Sequence, residues 1–210
     1  MSFKKIAIDG PAGVGKTTVG RSLARFLSFL FIESGKLYRG MAYAKVKDLP
    51  LKDLTITEEK EGNLTIKIGD ISLPEEELYT ENIGENASRL ATRGNIRKLV
   101  TEKVREFAKN NNVVVEGRDI GTEVLPSADL KIFLTASPRT RAERRWKQSN
   151  RKGNLEKVLK SIKKRDKRDT DREIAPLKPA VDAIIIDTTD INREETVQKA
   201  IELAEKELKS

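Results

Sequence analysis

The sequence predicts an α/β fold with a doubly wound, five-stranded parallel sheet. Two observations support this prediction: several short apolar runs have the composition of strands covered on both faces, and segments with helical spacing of apolar residues separate them. Strands and helices that alternate in this way are typical of a parallel sheet between two layers of helices. The predicted strands are 6–8, 30–32, 113–115, 130–134 and 183–186.

The first two strands belong to consecutive β-α units. The run 6–8 passes through a glycine-rich loop into a predicted helix over 16–27, which has its apolar residues on one face. The run 30–32 ends near Ser34-Gly35, and helical spacing resumes over 36–46. A second β-α unit therefore follows the first.

The pattern changes after residue 49. Apolar and polar residues alternate there around turn signals, which indicates a small antiparallel sheet with one face in water. Helical spacing then returns. The predicted strands of this insert are 54–57, 64–68 and 71–73, and the remaining predicted helices are 85–91, 95–108, 138–148 and 193–208.

The composition excludes several classes of protein. Of 210 residues, 37% are hydrophobic and 35% are charged, which suits one α/β domain with an inserted lobe and argues against a disordered chain. No apolar run approaches the ~20 residues of a membrane helix, and residues 1–5 lead directly into a strand, so we expect a cytosolic protein without a membrane partner. Cysteine and histidine are absent, which excludes thiolate chemistry, disulfides, common zinc sites and histidine-based acid–base catalysis.

A phosphate-binding loop (P-loop) is predicted between the first strand and the first helix. Residues 10–17 match the pattern G-x-x-x-x-G-K-[ST] in the required strand–loop–helix context, and an ordinary glycine-rich turn is the alternative. Glycines let backbone N–H groups turn toward a polyphosphate, Lys16 reaches the β- and γ-phosphates, and the Thr17 hydroxyl is a ligand for Mg²⁺. The predicted ATP-binding residues of this loop are Gly10, Pro11, Ala12, Gly13, Val14, Gly15, Lys16, Thr17 and Thr18.

The P-loop predicts that a nucleoside triphosphate binds, whereas the fate of the γ-phosphate depends on the rest of the chain. A GTPase needs an Asn-Lys-x-Asp motif after a strand. The run 130–134 is followed by Thr135-Ala136-Ser137-Pro138 instead, which counts against a GTPase.

The run 113–115 delivers charged residues to the carboxyl edge of the sheet, where ligands of open α/β sheets bind. These residues are Glu116, Arg118 and Asp119. We expect Glu116 to hold or orient a hydrated Mg²⁺ beside Thr17. A surface ion pair that ends the strand is the alternative.

A dense set of arginines lies in residues 139–172. Each of them taken alone is best explained as part of a solvated helix face. Phosphoryl transfer between two anionic nucleotides, however, needs planar cations near the transferring group, so we expect several of them to close over the phosphates. The set is Arg139, Arg141, Arg144, Arg145, Arg151, Arg165, Arg168 and Arg172.

Taken together, these motifs resemble the bacterial cytidylate kinases of the nucleoside monophosphate kinase family. The P-loop is common to many kinases, whereas the Ser-Gly-x-x-Tyr-Arg, Gly-Arg-Asp-x-Gly-Thr and Arg-Asp-x-Arg-Asp segments together are specific. The matching segments run in order over nearly the whole chain: 8–17, 33–39, 86–88, 116–122, 165–172 and 175–177.

The resemblance implies a three-layer P-loop kinase fold whose core is interrupted by a monophosphate-binding insert and a short helical, arginine-rich lid. The alternating segment after residue 49 fits the insert. The implied division is core 1–48, NMP-binding insert 49–93, core 94–148, lid 149–170 and core 171–210.

The resemblance also implies contacts to two nucleotides. The acceptor contacts are Ser34 and Asp169 at the ribose hydroxyls, Arg39 at the phosphate, and Ser88, Arg97 and Asp119 at the cytosine ring. The phosphate contacts are Arg118, Arg165 and Arg172, which act with Lys16 in catalysis, and Arg144 is expected near the ATP adenine. The lid is shorter than in other members, which leaves Arg151 without a role.

The implied base contacts favour cytosine. A carboxylate at Asp119 can accept a hydrogen bond from the N4 amino group while Arg97 donates to an acceptor on the ring. Uracil has a carbonyl at position 4, and this mismatch costs about 1–3 kcal/mol. We therefore expect a preference for CMP over UMP.

The sequence thus predicts a monomeric kinase that transfers the γ-phosphate of Mg-ATP to CMP or dCMP. Another small P-loop kinase, with UMP, AMP or shikimate as acceptor, is the alternative of the same class. The net charge of +8 suits an anionic partner and suggests a nucleic-acid-stimulated ATPase as a second alternative. No aromatic platform for stacked bases is obvious, so we expect no stable nucleic-acid partner.

Overall fold

The structure is a computed structural model that describes residues 3–58, 64–148 and 154–208. Among these residues the strands are β1 (Lys5–Asp9), β2 (Leu30–Glu33), β3 (Leu54–Glu58), β4 (Leu64–Ile68), β5 (Ile71–Ser72), β6 (Val113–Glu116), β7 (Leu130–Thr135) and β8 (Ile184–Asp187). The α-helices are α1 (Lys16–Leu27), α2 (Ser34–Val46), α3 (Glu75–Leu78), α4 (Glu81–Leu90), α5 (Gly94–Lys109), α6 (Pro138–Gln148), α7 (Leu155–Asp171) and α8 (Arg193–Leu208).

Five strands form a parallel sheet in the order β2-β6-β1-β7-β8. The prediction of a five-stranded parallel sheet in an α/β fold is therefore confirmed. The chain leaves the central strand β1 toward one edge at β2 and later fills the other side with β7 and β8. A change of direction of this kind opens a crevice at the carboxyl ends of the strands, where ligands of such sheets bind.

Helices cover both faces of the parallel sheet, which gives three layers. The valines of β6 show why the predicted strands are apolar throughout: Val114 belongs to the core under α1 and α8, whereas Val113 and Val115 belong to the core under α2 and α5. All three side chains are fully buried. A strand between two cores has no solvated face and needs no alternation of polar residues.

A second, antiparallel sheet of β3, β4 and β5 confirms the small predicted insert. Its buried side chains, among them Leu54 and Ile66, pack on α2 at Gly40. A Cβ atom at Gly40 would lie 2.7 Å from Leu73 Cδ1, so the absence of a side chain there lets the insert approach the helix. The predicted turn at 61–63 lies outside the described residues.

Three helices differ from the helices that apolar spacing predicts. Helix α3 is not among the predicted helices. Helix α4 begins at Glu81 rather than at residue 85, and the Thr80 hydroxyl caps it by accepting from the Ile83 N–H at 3.4 Å. Helix α7 has no signal in the apolar spacing, although the resemblance implies a helical lid in this region. Its side chains are mostly charged, and only Ile162 and Asp169 are buried, so apolar periodicity is weak there. None of the helices among the described residues combines the length and apolar character needed to cross a membrane.

Two P-loop glycines allow a direct test of packing against the sheet. Gly10 has a φ of +147°, and a Cβ atom there would lie 2.2 Å from the Leu134 carbonyl oxygen, whereas Gly15 has a φ of +101° and open space around it. We expect Gly10→Ala to lower the free energy of unfolding by roughly 1–3 kcal/mol more than Gly15→Ala, since both replacements strain the backbone but only the first creates a clash. Urea denaturation without nucleotide measures both, and equal losses would contradict this.

Candidate active site

A single cleft at the carboxyl edge of the parallel sheet brings the predicted site residues together. It has a volume of about 600 Å³ and is lined by the P-loop, the ends of β2 and β6, and parts of α2, α4, α5, α6, α7 and α8. Every predicted site residue lines it except Gly10 and Pro11, which lie below the surface of the P-loop.

The P-loop surrounds the Lys16 ammonium group. Gly10, Gly13 and Gly15 all have positive φ values, which turn the loop tightly before α1 begins at Lys16. Lys16 Nζ donates to the carbonyl oxygens of Gly10 and Pro11, each at 2.8 Å. Burial lowers the pKa of Lys16, and the nearby Arg118 guanidinium lowers it further. The carboxylates of Glu116 and Asp9 act in the opposite direction, and a polyphosphate at the N-terminus of α1 would add further negative charge beside this buried ammonium.

Thr17 and Glu116 lie side by side, as the sequence predicts. The Thr17 hydroxyl donates to Glu116 Oε1 at 3.0 Å. Glu116 is 5% exposed, and its Oε2 atom has no hydrogen-bond partner among the described residues. Burial raises the pKa of Glu116. A buried carboxylate oxygen without a partner, next to a hydroxyl, fits the oxygen ligands of Mg²⁺, so these two residues could hold that ion directly or through water.

Arg97 and Asp119 form a buried ion pair that also lines the cleft. Arg97 Nη2 donates to Asp119 Oδ2, and Arg172 Nη2 lies 3.5 Å from Asp119 Oδ1. Arg97 also donates to the Ala91 carbonyl oxygen at 2.9 Å, which fixes the guanidinium against the end of α4. A carboxylate has about four lone-pair positions, so Asp119 can accept a further hydrogen bond from a ligand.

Asp9 fixes the segment that carries Asp119. Its two carboxylate oxygens accept from the backbone N–H groups of Ile120 and Gly121 at 2.9 and 2.7 Å. The side chain is 4% exposed, and burial raises its pKa to about 6 despite these two bonds. No local sequence pattern indicates this role of Asp9, because the partners are more than a hundred positions away along the chain.

A second group of charges lies between Asp119 and the P-loop. Arg118 Nε donates to Asp169 Oδ2 at 2.8 Å, and Arg165 Nε lies 4.0 Å from the same oxygen. Arg165 Nε is buried without a hydrogen-bond partner, and burial together with Arg118 lowers the pKa of Arg165 to about 10. The Arg165 side chain is 31% exposed, and a guanidinium that faces a cleft with a spare donor is suited to an anionic ligand such as a phosphate.

The other residues of the predicted acceptor site are held by neighbouring groups. Ser88 Oγ accepts from Arg168 Nη1 at 3.0 Å, which joins α4 to α7. Ser34 is buried close to Gly117, where a Cβ atom would lie 2.7 Å from Ser34 Oγ. Arg39 Nη1 donates to the Leu78 carbonyl oxygen at 2.7 Å.

The arginines of residues 139–172 fall into distinct groups. Four of them line the cleft: Arg144, Arg145, Arg165 and Arg172. Arg144 also donates to the loop after β8 at Thr188 and Ile191. Arg141 is buried and joins the Ala12 carbonyl oxygen of the P-loop to Asp166 of α7. Arg139 pairs with Glu143 at the surface, as the solvated-face interpretation expects, and Arg151 lies outside the described residues.

Several residues of the cleft have no sequence signal. Tyr79, Asn192 and Arg193 line it, but none belongs to a recognisable motif. Tyr79 follows the short helix α3, and the contacts that bring it to the cleft join positions that are distant in the sequence.

Comparison with known proteins gives one family. The cytidylate kinase family model matches residues 6–206. The cytidylate kinase of Thermosipho melanesiensis is 43% identical to this chain, and the match covers 98% of each. The cytidylate kinase of Halalkalibacterium halodurans is 38% identical, with 96% of this chain and 97% of that protein covered.

Solved structures show the same fold at lower identity. A gluconokinase from Sinorhizobium meliloti has a TM-score of 0.54 and 17% identity, covering 100% of this chain and 97% of that one. A shikimate kinase from Bacteroides thetaiotaomicron has a TM-score of 0.51 and 15% identity, with 99% of each chain covered. These likenesses concern the fold alone, and they confirm the predicted P-loop kinase fold.

The buried carboxylate at Glu116 leads to a prediction about pH. Its pKa is higher in the folded than in the unfolded chain, so its contribution to stability is present below about pH 4.5 and is lost as the pH rises. We expect Glu116→Gln, which cannot ionise, to raise the free energy of unfolding at pH 8 by about 1–3 kcal/mol and to change it little at pH 4.5. Denaturation without nucleotide at both pH values measures this, and the same change at both would contradict it.

Proposed function

This chain belongs to the cytidylate kinase family, and we propose that it transfers the γ-phosphate of ATP to CMP or dCMP, giving ADP and CDP or dCDP. The observation that supports this most directly is one cleft that joins a P-loop to the buried Arg97–Asp119 pair. The first binds a triphosphate, and the second can recognise a polar base. The same cleft also contains Arg118 and Arg165, which supply the positive charge that a transfer between two phosphates requires.

The donor site in this proposal is the P-loop with the start of α1. Backbone N–H groups of residues 10–18 surround the β- and γ-phosphates at the positive end of the helix. Lys16 leaves its carbonyl partners to contact the phosphates, and Arg144 lies beside the adenine. The Arg144 contacts with Thr188 and Ile191 hold its side chain in place.

We assign Thr17 and Glu116 to Mg²⁺, with Glu116 acting directly or through water. When bound, Mg²⁺ offsets negative charge on the phosphates of ATP and favours their in-line arrangement. The Thr17 hydroxyl and Glu116 Oε2, which has no hydrogen-bond partner among the described residues, would supply oxygen ligands of the kind that Mg²⁺ prefers.

The acceptor site is assigned to residues around the insert. Ser34 and Asp169 bind the ribose hydroxyls, Arg39 binds the phosphate, and Ser88, Arg97 and Asp119 read the base. Asp119 accepts from the N4 amino group of cytosine with a free lone pair, whereas the O4 atom of uracil would meet the carboxylate without a proton to donate. The selectivity for cytosine follows from this difference.

The transfer needs no general base, because the phosphate of the acceptor is already an anionic nucleophile at neutral pH. An oxygen of that phosphate attacks the γ-phosphorus, the bond to the β,γ-bridging oxygen breaks, and ADP leaves. Lys16, Arg118, Arg165 and Arg172 stabilise the charge on the transferring group. Arg165 Nε, which makes no hydrogen bond to any described residue, is free to donate to it.

The proposal also includes the division of the chain into five parts, with an insert at 49–93 and a lid at 149–170. We further propose that the protein is a monomer, that it is cytosolic and that it has no nucleic-acid partner. In this scheme the positive surplus of the chain acts on the phosphates of its two small substrates.

The proposed acceptor is tested by ADP formation from Mg-ATP with CMP, dCMP, UMP, AMP, GMP, shikimate or no acceptor. We expect turnover with CMP and dCMP, and Asp119→Asn to lower the ratio of kcat/KM for CMP over that for UMP by roughly 10- to 100-fold, equivalent to about 1–3 kcal/mol. The reason is that the asparagine amide can donate to a carbonyl at position 4.

An unchanged ratio in Asp119→Asn would remove Asp119 from the base site. Turnover only with another acceptor would keep the P-loop kinase and exclude the cytosine assignment. Turnover without any acceptor, stimulated by RNA or DNA in a salt-dependent way, would instead indicate a nucleic-acid-dependent ATPase.

The role of Lys16 gives a separate prediction. Lys16→Met keeps most of the side-chain volume but removes the cation, and we expect kcat to fall by about 10²- to 10³-fold, as for the loss of one preorganised donor. Lys160→Met is the matched control, because Lys160 is an exposed lysine of α7 outside the cleft. Steady-state kinetics with circular dichroism of both variants measures the difference, and a near-normal kcat in Lys16→Met would refute the role.

A further inference from the structure

We propose that Tyr79 is a positioning residue for Arg39: its ring holds the Arg39 guanidinium, and its hydroxyl anchors the ring to the carboxyl end of β2. The inference rests on the proposed function, in which Arg39 binds the acceptor phosphate. Tyr79 belongs to none of the motifs, and it affects binding of the acceptor only through Arg39.

The Arg39 guanidinium is held from three sides. Its Cζ atom lies over the Tyr79 ring, 4.9 Å from the centroid, and its Nη1 atom donates to the Leu78 carbonyl oxygen at 2.7 Å. On the third side is Gly84, where a Cβ atom would lie only 3.1 Å from Arg39 Nη1. All three partners belong to the segment that contains α3 and α4. The direction of Arg39, a residue of α2, is therefore set by this segment.

The Tyr79 ring is itself fixed from the other end. Its hydroxyl donates to Glu33 Oε2 at 2.9 Å. Glu33 is the last residue of β2 and pairs in register with Glu116 of β6, which contacts Thr17. A chain of contacts thus connects Arg39 through Tyr79 to the edge of the sheet that carries the P-loop.

The Tyr79 hydroxyl remains a donor at neutral pH. Burial and the Glu33 carboxylate raise the pKa of Tyr79 well above its ordinary value, because both disfavour the phenolate. The side chain is nevertheless 44% exposed. An exposed ring held at one place by its hydroxyl is better explained by a positioning role than by a contribution to the core.

An aromatic partner suits a phosphate-binding arginine better than a carboxylate does. The ring attracts the guanidinium through its π-electrons and uses none of its five N–H donors. The ring itself carries no negative charge, and the one carboxylate that acts on Arg39 electrostatically, Glu33, is hydrogen-bonded to the Tyr79 hydroxyl. Arg118, by contrast, donates to the Asp169 carboxylate. Arg39 uses an Nη1 donor on Leu78, so its Nε and Nη2 donors can bind a phosphate in the two-pronged manner typical of arginine.

The test compares Tyr79→Leu, which removes the ring, with Tyr79→Phe, which removes only the hydroxyl. We expect Tyr79→Leu to raise the KM for CMP by roughly three- to tenfold, in line with the strength of a cation–π contact, with less than a twofold change in the KM for ATP. Tyr79→Phe should raise the KM for CMP much less, because only the hydrogen bond to Glu33 is lost and the ring remains. Phe26→Leu, at an exposed aromatic residue of α1 outside the cleft, is the matched control.

A double-mutant cycle with Arg39→Met separates positioning from a general structural role. If Tyr79 acts through Arg39, adding Tyr79→Leu to Arg39→Met should change the KM for CMP by less than twofold. A full effect of Tyr79→Leu in the Arg39→Met background, or equal effects on the KM for CMP and for ATP, would overturn the proposal. If the wild type uses another monophosphate, the proposed function fails, and the same cycle is run with that acceptor, because Arg39 is assigned to its phosphate and not to its base.

Discussion

Buried charges at the carboxyl edge of the parallel sheet are the constraint on which the rest of the structure depends. A buried charge is costly unless it is paired and hydrogen-bonded. Here Arg97 and Arg172 surround Asp119, Arg118 and Arg165 surround Asp169, and Lys16 lies near Glu116. Cations outnumber carboxylates in this cluster, so the protein alone does not balance it. Two phosphate-bearing substrates would do so.

The ion pairs of this cluster join elements that lie far apart in the sequence. Asp119 follows β6, Arg97 lies on α5, and Arg172 follows α7, so their pairing closes the cleft from three sides. Arg141 connects the P-loop to α7, and Arg168 connects α7 to α4. The charges that would bind the substrates are therefore also the contacts that set the positions of the helices around them.

Much of the fold could be predicted from sequence, because strands and helices that pack on a core leave a local pattern of apolar residues. Helices α1 and α8 have the predicted bounds, and the strands of the parallel sheet differ from prediction by one or two residues. The contact between Thr17 and Glu116 also follows from sequence, since parallel strands end at one edge of a sheet. Helix α7 could not be predicted from apolar spacing, because it packs with few apolar residues, and only the resemblance implied a helix there. The contacts of Asp9 and Tyr79 depend on tertiary packing between positions far apart in sequence, which no local pattern encodes.

Strand β6 shows a consequence for folding of having two cores. Its three consecutive valines have identical side chains and face both cores. If β6 shifted by one position along β1 and β2, valines would still face both cores. The apolar residues alone therefore do not determine the alignment of the strand. The flanking polar residues do. Asn112 accepts from the Lys4 N–H at 2.8 Å before the strand, and Glu116 accepts from Thr17 after it. A slip would bury one of these polar groups without its partner, so the carboxylate assigned to Mg²⁺ also determines how the central strands align while the chain folds.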